Sequence, residues 1–268
     1  MISVIVVTFN NKEGLRLTLK SIIYFLHHHN CSNVEVIIKD GGSTDDTKEF
    51  IDWFYKCYPT ISNTIRFISS NDTGIYDAMN QAIEYCSGDH VIFMNAGDAF
   101  YTNSLSLILS NQLDSNIIYY GDAIFYDDRN RFEKIYKIDS VSCFLKHNPF
   151  NHQAILYPRK CFNAKTNYNT NLVISADFDF TYACYVNGVL FKKLNQTIAI
   201  CQLGGISCIN SIRSYQDRIS SFKKNGPKYG FCLMMINYPF FIIKSRLIVF
   251  LDKKRIMHLY RKLKYKYV

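Results

Sequence analysis

Four short segments of this 268-residue chain combine carboxylates, amides and glycines, and each directly follows an apolar run. They are Thr8-Phe9-Asn10, Asp40-Gly41-Gly42-Ser43, Asn71-Asp72-Thr73-Gly74 and Asn95-Ala96-Gly97-Asp98. Glycines let backbone N–H groups approach phosphate oxygens, while carboxylates hold a divalent cation or accept hydrogen bonds from ribose and base. Apolar runs of this length read as strands, and in an open α/β sheet ligands sit in the crevice outside the strands' carboxyl ends. Four such loops on one rim predict a nucleotide site. Further along, Asp177 opens a helix-like run, and Asn151-His152-Gln153 precedes another apolar run. A carboxylate within reach of a hydroxyl serves as a general base, and a cation neutralises a leaving diphosphate. Asp98 and Asp177 are the candidates for these two tasks. Asp179, two residues further along a helix, points about 200° away from Asp177.

The surrounding pattern must position these groups. Residues 2–7 are almost continuously apolar and β-branched, as suits a strand covered on both faces. Asn10 or Asn11 is expected to cap a helix to about residue 28, with Leu15, Leu19, Ile22, Ile23 and Leu26 on one face. Strands are expected at 34–38, 65–68 and 91–94. Helices are expected after a Ser43 or Thr44 cap, over 75–86, and from a Thr102 cap to 111. This alternation implies parallel βαβ units with right-handed crossovers. Beyond Asp98 the reading is two short strands at 117–120 and 123–126, a helix over 176–186 and a strand over 198–203. Without a repeat or a Pro/Gly-rich linker, one compact domain is expected.

Charge is unevenly spread. The net +9 arises almost wholly after residue 221: residues 222–268 hold 12 Lys and Arg against one acid, whereas residues 1–221 hold 19 against 21. A nearly neutral globular part argues against a nucleic-acid partner. The tail mixes basic with apolar and aromatic residues, and its apolar run at 231–243 is broken by Asn237 and Pro239. It is too short and too interrupted to cross a bilayer, and it reads either as a segment lying on an anionic membrane or as helices packed on the domain. The nine cysteines show no CxxC pair or zinc-like spacing, and the first residues lack a secretory pattern. Free thiols and a cytoplasmic location are expected.

The ordered set VIVVTFN, DGGSTDDT, NDTGIYDAMNQAI, GDHVIFMNAGD, NHQAI and ISADFDF resembles the inverting glycosyltransferases of family 2, especially bacterial ones that build exopolysaccharide and O-antigen units. The resemblance spans about residues 1–207. It implies an α/β fold of the GT-A type, an open mixed sheet of mostly parallel strands flanked by helices, occupying residues 1–221. Residues 222–268 would then form a basic, aromatic helical tail. It further implies a nucleotide-sugar donor, of which a UDP-sugar fits best and a GDP- or dTDP-sugar stays open. The implied acceptor is a glycan or a polyprenyl-linked sugar, met at the inner face of the plasma membrane, with Mg²⁺ or Mn²⁺ as cofactor.

Residue by residue, the resemblance makes Asp98 the metal ligand, with Asn95 and Gly97 standing where relatives often carry Asp. It makes Asp177 the base, with Ala176 where many relatives have Glu. Asp40 and Asp72 would contact base and ribose, and Thr8, Phe9, Asn10 and Gly41 would line that pocket. Tyr76, Asp77 and Asn80 would border the donor, as would Asn95, Ala96 and Gly97. His152 and Gln153 would touch acceptor or diphosphate. Gly204-Gly205-Ile206-Ser207 would edge the site, and Arg213 or Arg218 would add positive charge. Two other classes remain: a non-catalytic nucleotide-sugar-binding scaffold and a sugar nucleotidyltransferase. The second needs a Gly-rich basic loop after the first strand, where Asn10-Asn11-Lys12-Glu13 stands instead. A dinucleotide dehydrogenase is disfavoured because G-x-G-x-x-G is missing there.

Overall fold

Strand β1 (Ile2–Thr8) is buried at every residue, and its side chains alternate between two cores. Ile5 and Val7 join one core with Met79, Phe93, Tyr157, Phe178 and Phe222. Val4 and Val6 join the other with Leu15, Leu19, Phe54, Leu105 and Ile198. A strand with apolar residues at both parities is thereby explained: the sheet is covered on both faces. The computed structural model describes residues 1–28, 33–127, 132–136, 144, 150–163, 166–202 and 211–253.

Around β1 the sheet is parallel. β2 (Val34–Asp40) lies on one side with β3 (Ile65–Ser69) beyond it, and β4 (His90–Phe93) lies on the other. Helices α1 (Lys12–His28), α2 (Thr47–Cys57), the single turn α3 (Pro59–Ser62) and α4 (Ile75–Ile83) connect these strands. Past β4 the direction reverses. β8 (Ile155–Pro158) pairs antiparallel with β4, and β6 (Ile117–Asp127) pairs antiparallel with β8. β9 (Leu190–Gln202) runs parallel to β6, the short β5 (Ala99–Phe100) lies antiparallel to β9, and β7 (Phe132–Tyr136) pairs with β6. Helix α5 (Ser104–Leu109) follows β5, and α6 (Ala176–Val186) precedes β9. The expected open mixed sheet of mostly parallel strands flanked by helices is what forms.

Several local expectations fail for identifiable reasons. Neither Ser43 nor Thr44 caps α2. The Ser43 hydroxyl donates to Asp40, and the Thr44 N–H donates to Asn10 Oδ1, so Asp45 takes over by accepting from Thr47 N at 3.2 Å. The helix begins correspondingly later. Asn103, not Thr102, stands before α5. The expected pair of strands at 117–120 and 123–126 is one strand with a register shift at Gly121. A Cβ there would lie 2.7 Å from Gln196 O and from Ile198, so glycine permits a bulge against β9 rather than a turn. β9 itself begins well before residue 198, because its early part alternates exposed and part-buried positions and carries little apolar signal.

After β9, α7 (Ser211–Asn225) and α8 (Lys228–Lys253) pack back on the sheet domain. The expected boundary after Ser221 falls inside α7, whose Phe222 is 0% exposed, with its ring 4.6 Å from that of Tyr182. Residues 254–268, which carry the most basic part of the tail, lie outside the described residues. Removing a fully buried aromatic ring costs about 3–5 kcal/mol. Phe222→Ala should therefore lose about that much stability in urea unfolding, and a loss below about 1 kcal/mol would place α7 outside the cooperative unit.

Candidate active site

The carboxyl ends of β1, β2 and β3 are aligned, with Thr8 beside Asp40 and Asp40 beside Ser69. The loops leaving them are tied together. Asn10 N donates to Ser43 Oγ at 2.8 Å, and Gly41 N donates to Thr8 O at 2.9 Å. Asp40 is only 2% exposed, and its carboxylate accepts from Gly42 N, Ser43 N, Ser43 Oγ and Ser69 Oγ. Its side chain is thus taken up by the loop's own structure, whereas the resemblance assigned it to base and ribose. Asp72 is nearer the surface and accepts from Gly74 N at 3.0 Å. Phe9 is 61% exposed. Gly41 sits between these two: a Cβ on it would stand 2.6 Å from Asp72 Oδ2 and 3.2 Å from Phe9.

Lys39, which the sequence reading passed over, is fully buried beneath these loops. Its ammonium donates to Asp40 O at 2.8 Å and Ser70 O at 2.7 Å, and lies 3.4 Å from Asp72 Oδ2. A buried ammonium needs such partners, and in return it holds the ends of β2 and β3 together. The clue in the sequence was a lone lysine inside the apolar run of β2.

The Asn95–Asp98 turn is fixed from below by Thr18 of α1. The Thr18 hydroxyl accepts from Gly97 N at 3.0 Å and lies 2.6 Å from Asp98 O, toward which it donates. Asn11 caps α1 through Gly14 N and donates its amide to Ala96 O. Gly97 has φ +107°, a conformation that an Asp at this position would hold only with strain. Asp98 Oδ2 accepts from Gln153 Nε2 at 2.6 Å, and Oδ1 accepts from Gln202 N at 3.3 Å. Burial pushes the Asp98 carboxyl up to about 6, although both hydrogen bonds oppose the shift.

His152 and Gln153 form one turn, in which Gln153 N donates to Asn151 Oδ1. While Gln153 reaches Asp98, His152 faces the other way: Nε2 is 3.2 Å from Asn95 Nδ2, and Nδ1 is 3.7 Å from Asp177 Oδ2. An amide NH₂ only donates, so His152 Nε2 accepts and the ring proton sits on Nδ1, toward Asp177. Burial lowers the His152 pKa, with Asp177 acting against it, which favours the neutral ring. Asp177 stands in the first turn of α6. The Tyr76 hydroxyl of α4 lies 2.9 Å from Asp177 Oδ1 and 2.5 Å from Ile174 O. Burial and the neighbouring carboxylate both raise the Tyr76 pKa, so the phenol keeps its proton and donates. Asp217 of α7 accepts from Ile174 N at 3.1 Å and Ser175 N at 3.3 Å, which fixes the entry to α6. Nothing in the sequence marked that residue.

Other expected residues turn elsewhere. Asn80 spends its amide on both backbone groups of Tyr168, and Asp77 accepts from Thr73 N and Gln81 Nε2. Asp179 accepts from Asn225 of α7, away from Asp177. Arg213 pairs with Asp217 at 3.3 Å, and Arg218 lies over the rings of Phe178 and Tyr215. Residues 204–207 lie outside the described residues.

For a divalent cation the donor set fits in kind and is thin in number. In the same turn as Asp98, Asn95 Oδ1 is buried and lacks a hydrogen-bond partner among the described residues. Among these residues no three His, Cys, Asp or Glu side chains gather into a metal cluster. Carboxylate and amide oxygens are the hard ligands that Mg²⁺ and Mn²⁺ take, and Mg²⁺ commonly fills its remaining positions with water and phosphate.

Because folding raises the Asp98 pKa from 3.8 to about 6, the folded state binds that proton more tightly than the unfolded chain. The ionised form therefore costs stability in full above about pH 6, and the cost fades as pH falls from about 6 to about 4. In EDTA, Asp98→Asn should be more stable than the parent by about 2–3 kcal/mol at neutral pH, converging with it in acid. Equal stability at both pH values would contradict this burial cost.

Comparison with known proteins agrees with this geometry. The family model described as Glycosyl transferase family 2 matches residues 3–179. A PGL/p-HBAD biosynthesis glycosyltransferase of Mycobacterium tuberculosis is 28% identical over 212 residues, covering 77% of this chain and 79% of its own. Among solved structures, the mannosyltransferase PcManGT from Pyrobaculum calidifontis, in complex with GDP-Man and Mn²⁺, superposes with a TM-score of 0.66 at 14% identity. It covers 94% of this chain and 75% of its own. S. aureus TarS 1–349 gives 0.64 at 15% identity over 89% and 71%, and TarS 1–349 has also been solved with UDP and with UDP-GlcNAc. These likenesses identify the fold as GT-A-like. From the family match and the shared fold together, the chain belongs to glycosyltransferase family 2 and is a glycosyltransferase.

Proposed function

We propose that this glycosyltransferase moves a sugar from UDP onto a hydroxyl of a glycan or polyprenyl-linked acceptor, inverting the anomeric centre. The reaction would serve surface polysaccharide synthesis at the inner face of the plasma membrane. One observation supports the reading: consecutive side chains, His152 and Gln153, face Asp177 and Asp98 respectively, so a single turn joins the surroundings of the two carboxylates. The UDP assignment is supported by the Asp40 and Asp72 loops, and by exposed Phe9 beside Gly41, which offers the base a face to stack on.

Asp98 and Asn95 Oδ1 would hold Mg²⁺ or Mn²⁺, which when bound neutralises charge on the leaving diphosphate. Asp177 takes the proton from the acceptor hydroxyl as its oxygen attacks the anomeric carbon. The carbon–oxygen bond to the diphosphate breaks on the opposite side, and a single in-line displacement inverts that carbon. Tyr76 and His152 orient the carboxylate from its two oxygens, which holds it in place for the acceptor hydroxyl. A non-catalytic nucleotide-sugar-binding role is the second reading, favoured by the single carboxylate in the Asn95–Asp98 turn.

A panel of nucleotide sugars with Mn²⁺, assayed for diphosphate release, distinguishes the two. General-base removal costs about 10²–10⁴-fold. Asp177→Asn should therefore lower release by about that factor while calorimetric UDP affinity stays at the parent value, and undiminished turnover would remove Asp177 from the role. EDTA should abolish release and added Mn²⁺ restore it; turnover unaffected by EDTA would remove the cation.

A further inference from the structure

Helix α8 has two apolar faces. One packs on the protein: the Tyr215 ring of α7 lies 4.3 Å from Phe241 and 5.7 Å from Tyr238, and its hydroxyl donates to Met234 O. Ser245 on the same side is 4% exposed. The other face carries Leu233, Ile236, Phe240, Ile243 and Leu247, which are 48–70% exposed. Spaced alternately three and four apart, these five side chains fall within an arc of about 80°, opposite the packed face. A continuous exposed stripe of large apolar residues marks a contact surface.

Charge selects what covers it. Lys244 lies about 20° beyond one edge of the stripe and Arg246 about 60° beyond the other. After residue 221 the chain holds one acid, Asp252, against 12 Lys and Arg. A second copy would bring cations against cations, whereas a paired helical seam is held in register by opposite charges beside it. Crossing a bilayer takes about 20 apolar residues, and no described helix is long and apolar enough. An anionic bilayer meets both features: the stripe enters the acyl boundary, while Lys244 and Arg246 reach headgroups.

We infer that the Leu233–Leu247 stripe of α8 seats in the interface of an anionic lipid bilayer. This gives the membrane location proposed above a named surface, yet it stands on α8 alone and holds whether or not the chain transfers sugar. The six basic residues after Lys253 add to the same attraction.

The test is sedimentation of the full chain with phosphatidylcholine vesicles and with mixed phosphatidylcholine–phosphatidylglycerol vesicles. The parent should bind the mixed vesicles, and less strongly as salt rises. Ile236→Ser/Phe240→Ser/Ile243→Ser should weaken that binding by more than about tenfold. UDP affinity and circular dichroism should stay at parent values, which separates loss of seating from loss of fold or of the donor site. Lys244→Gln/Arg246→Gln, which alters only exposed charges, should reduce the preference for anionic vesicles. Equal vesicle binding by the triple variant, equal binding of neutral vesicles by the parent, or a parent dimer that the triple variant abolishes would each overturn the inference.

Discussion

Two carboxylates distant in sequence flank one turn of the chain. Asp98 accepts from Gln153, and Asp177 faces the preceding residue, His152. The constraint comes from the sheet. β8 runs antiparallel to β4, so its amino end lies beside the carboxyl end of β4, and the turn leading into it stands next to Asn95. A parallel strand at that position would have carried residues 151–154 to the opposite rim. Reversal of direction past β4 is thus what brings His152 and Gln153 to this rim.

The rest of the molecule holds the two sides of that turn still. On the Asp98 side, Thr18 and Asn11 of α1 fix the Asn95–Asp98 backbone, and Gly97 supplies a conformation that other residues resist. On the Asp177 side, Tyr76 of α4 and Asp217 of α7 hold the first turn of α6. Most of these are side-chain to backbone contacts that keep polar groups satisfied in a buried place. One group is left costly: burial raises the Asp98 carboxyl to about 6. Binding sites are commonly purchased with stability in this way.

Much of this was legible in the residues. β-Branched runs followed by glycine and acid gave the parallel half of the sheet and its rim, since local pattern and topology agree there. The antiparallel half was harder. The two strands expected at 117–120 and 123–126 are one, bulged at Gly121 against Ile198 far along the chain, and the first half of β9 carries little apolar signal. Side chains were less legible still. Asp40 and Asn80 have chemistry suited to a ligand, yet loop and backbone groups consume them. Lys39 and Asp217 become meaningful only through partners about 30 to 40 residues away, and one sequence carries no record of those pairings.

The tail shows the same division. Its basic charge was plain, while the two-faced character of α8 required seeing which residues Tyr215 covers. The shared role of the two carboxylates is tested most directly by anomalous diffraction from crystals grown with UDP and Mn²⁺. The predicted result is one manganese peak bound by an Asp98 oxygen and the diphosphate, with the Asp177 carboxylate across an open cleft from it. A peak away from Asp98, or a diphosphate on a different rim from Asp177, would contradict it.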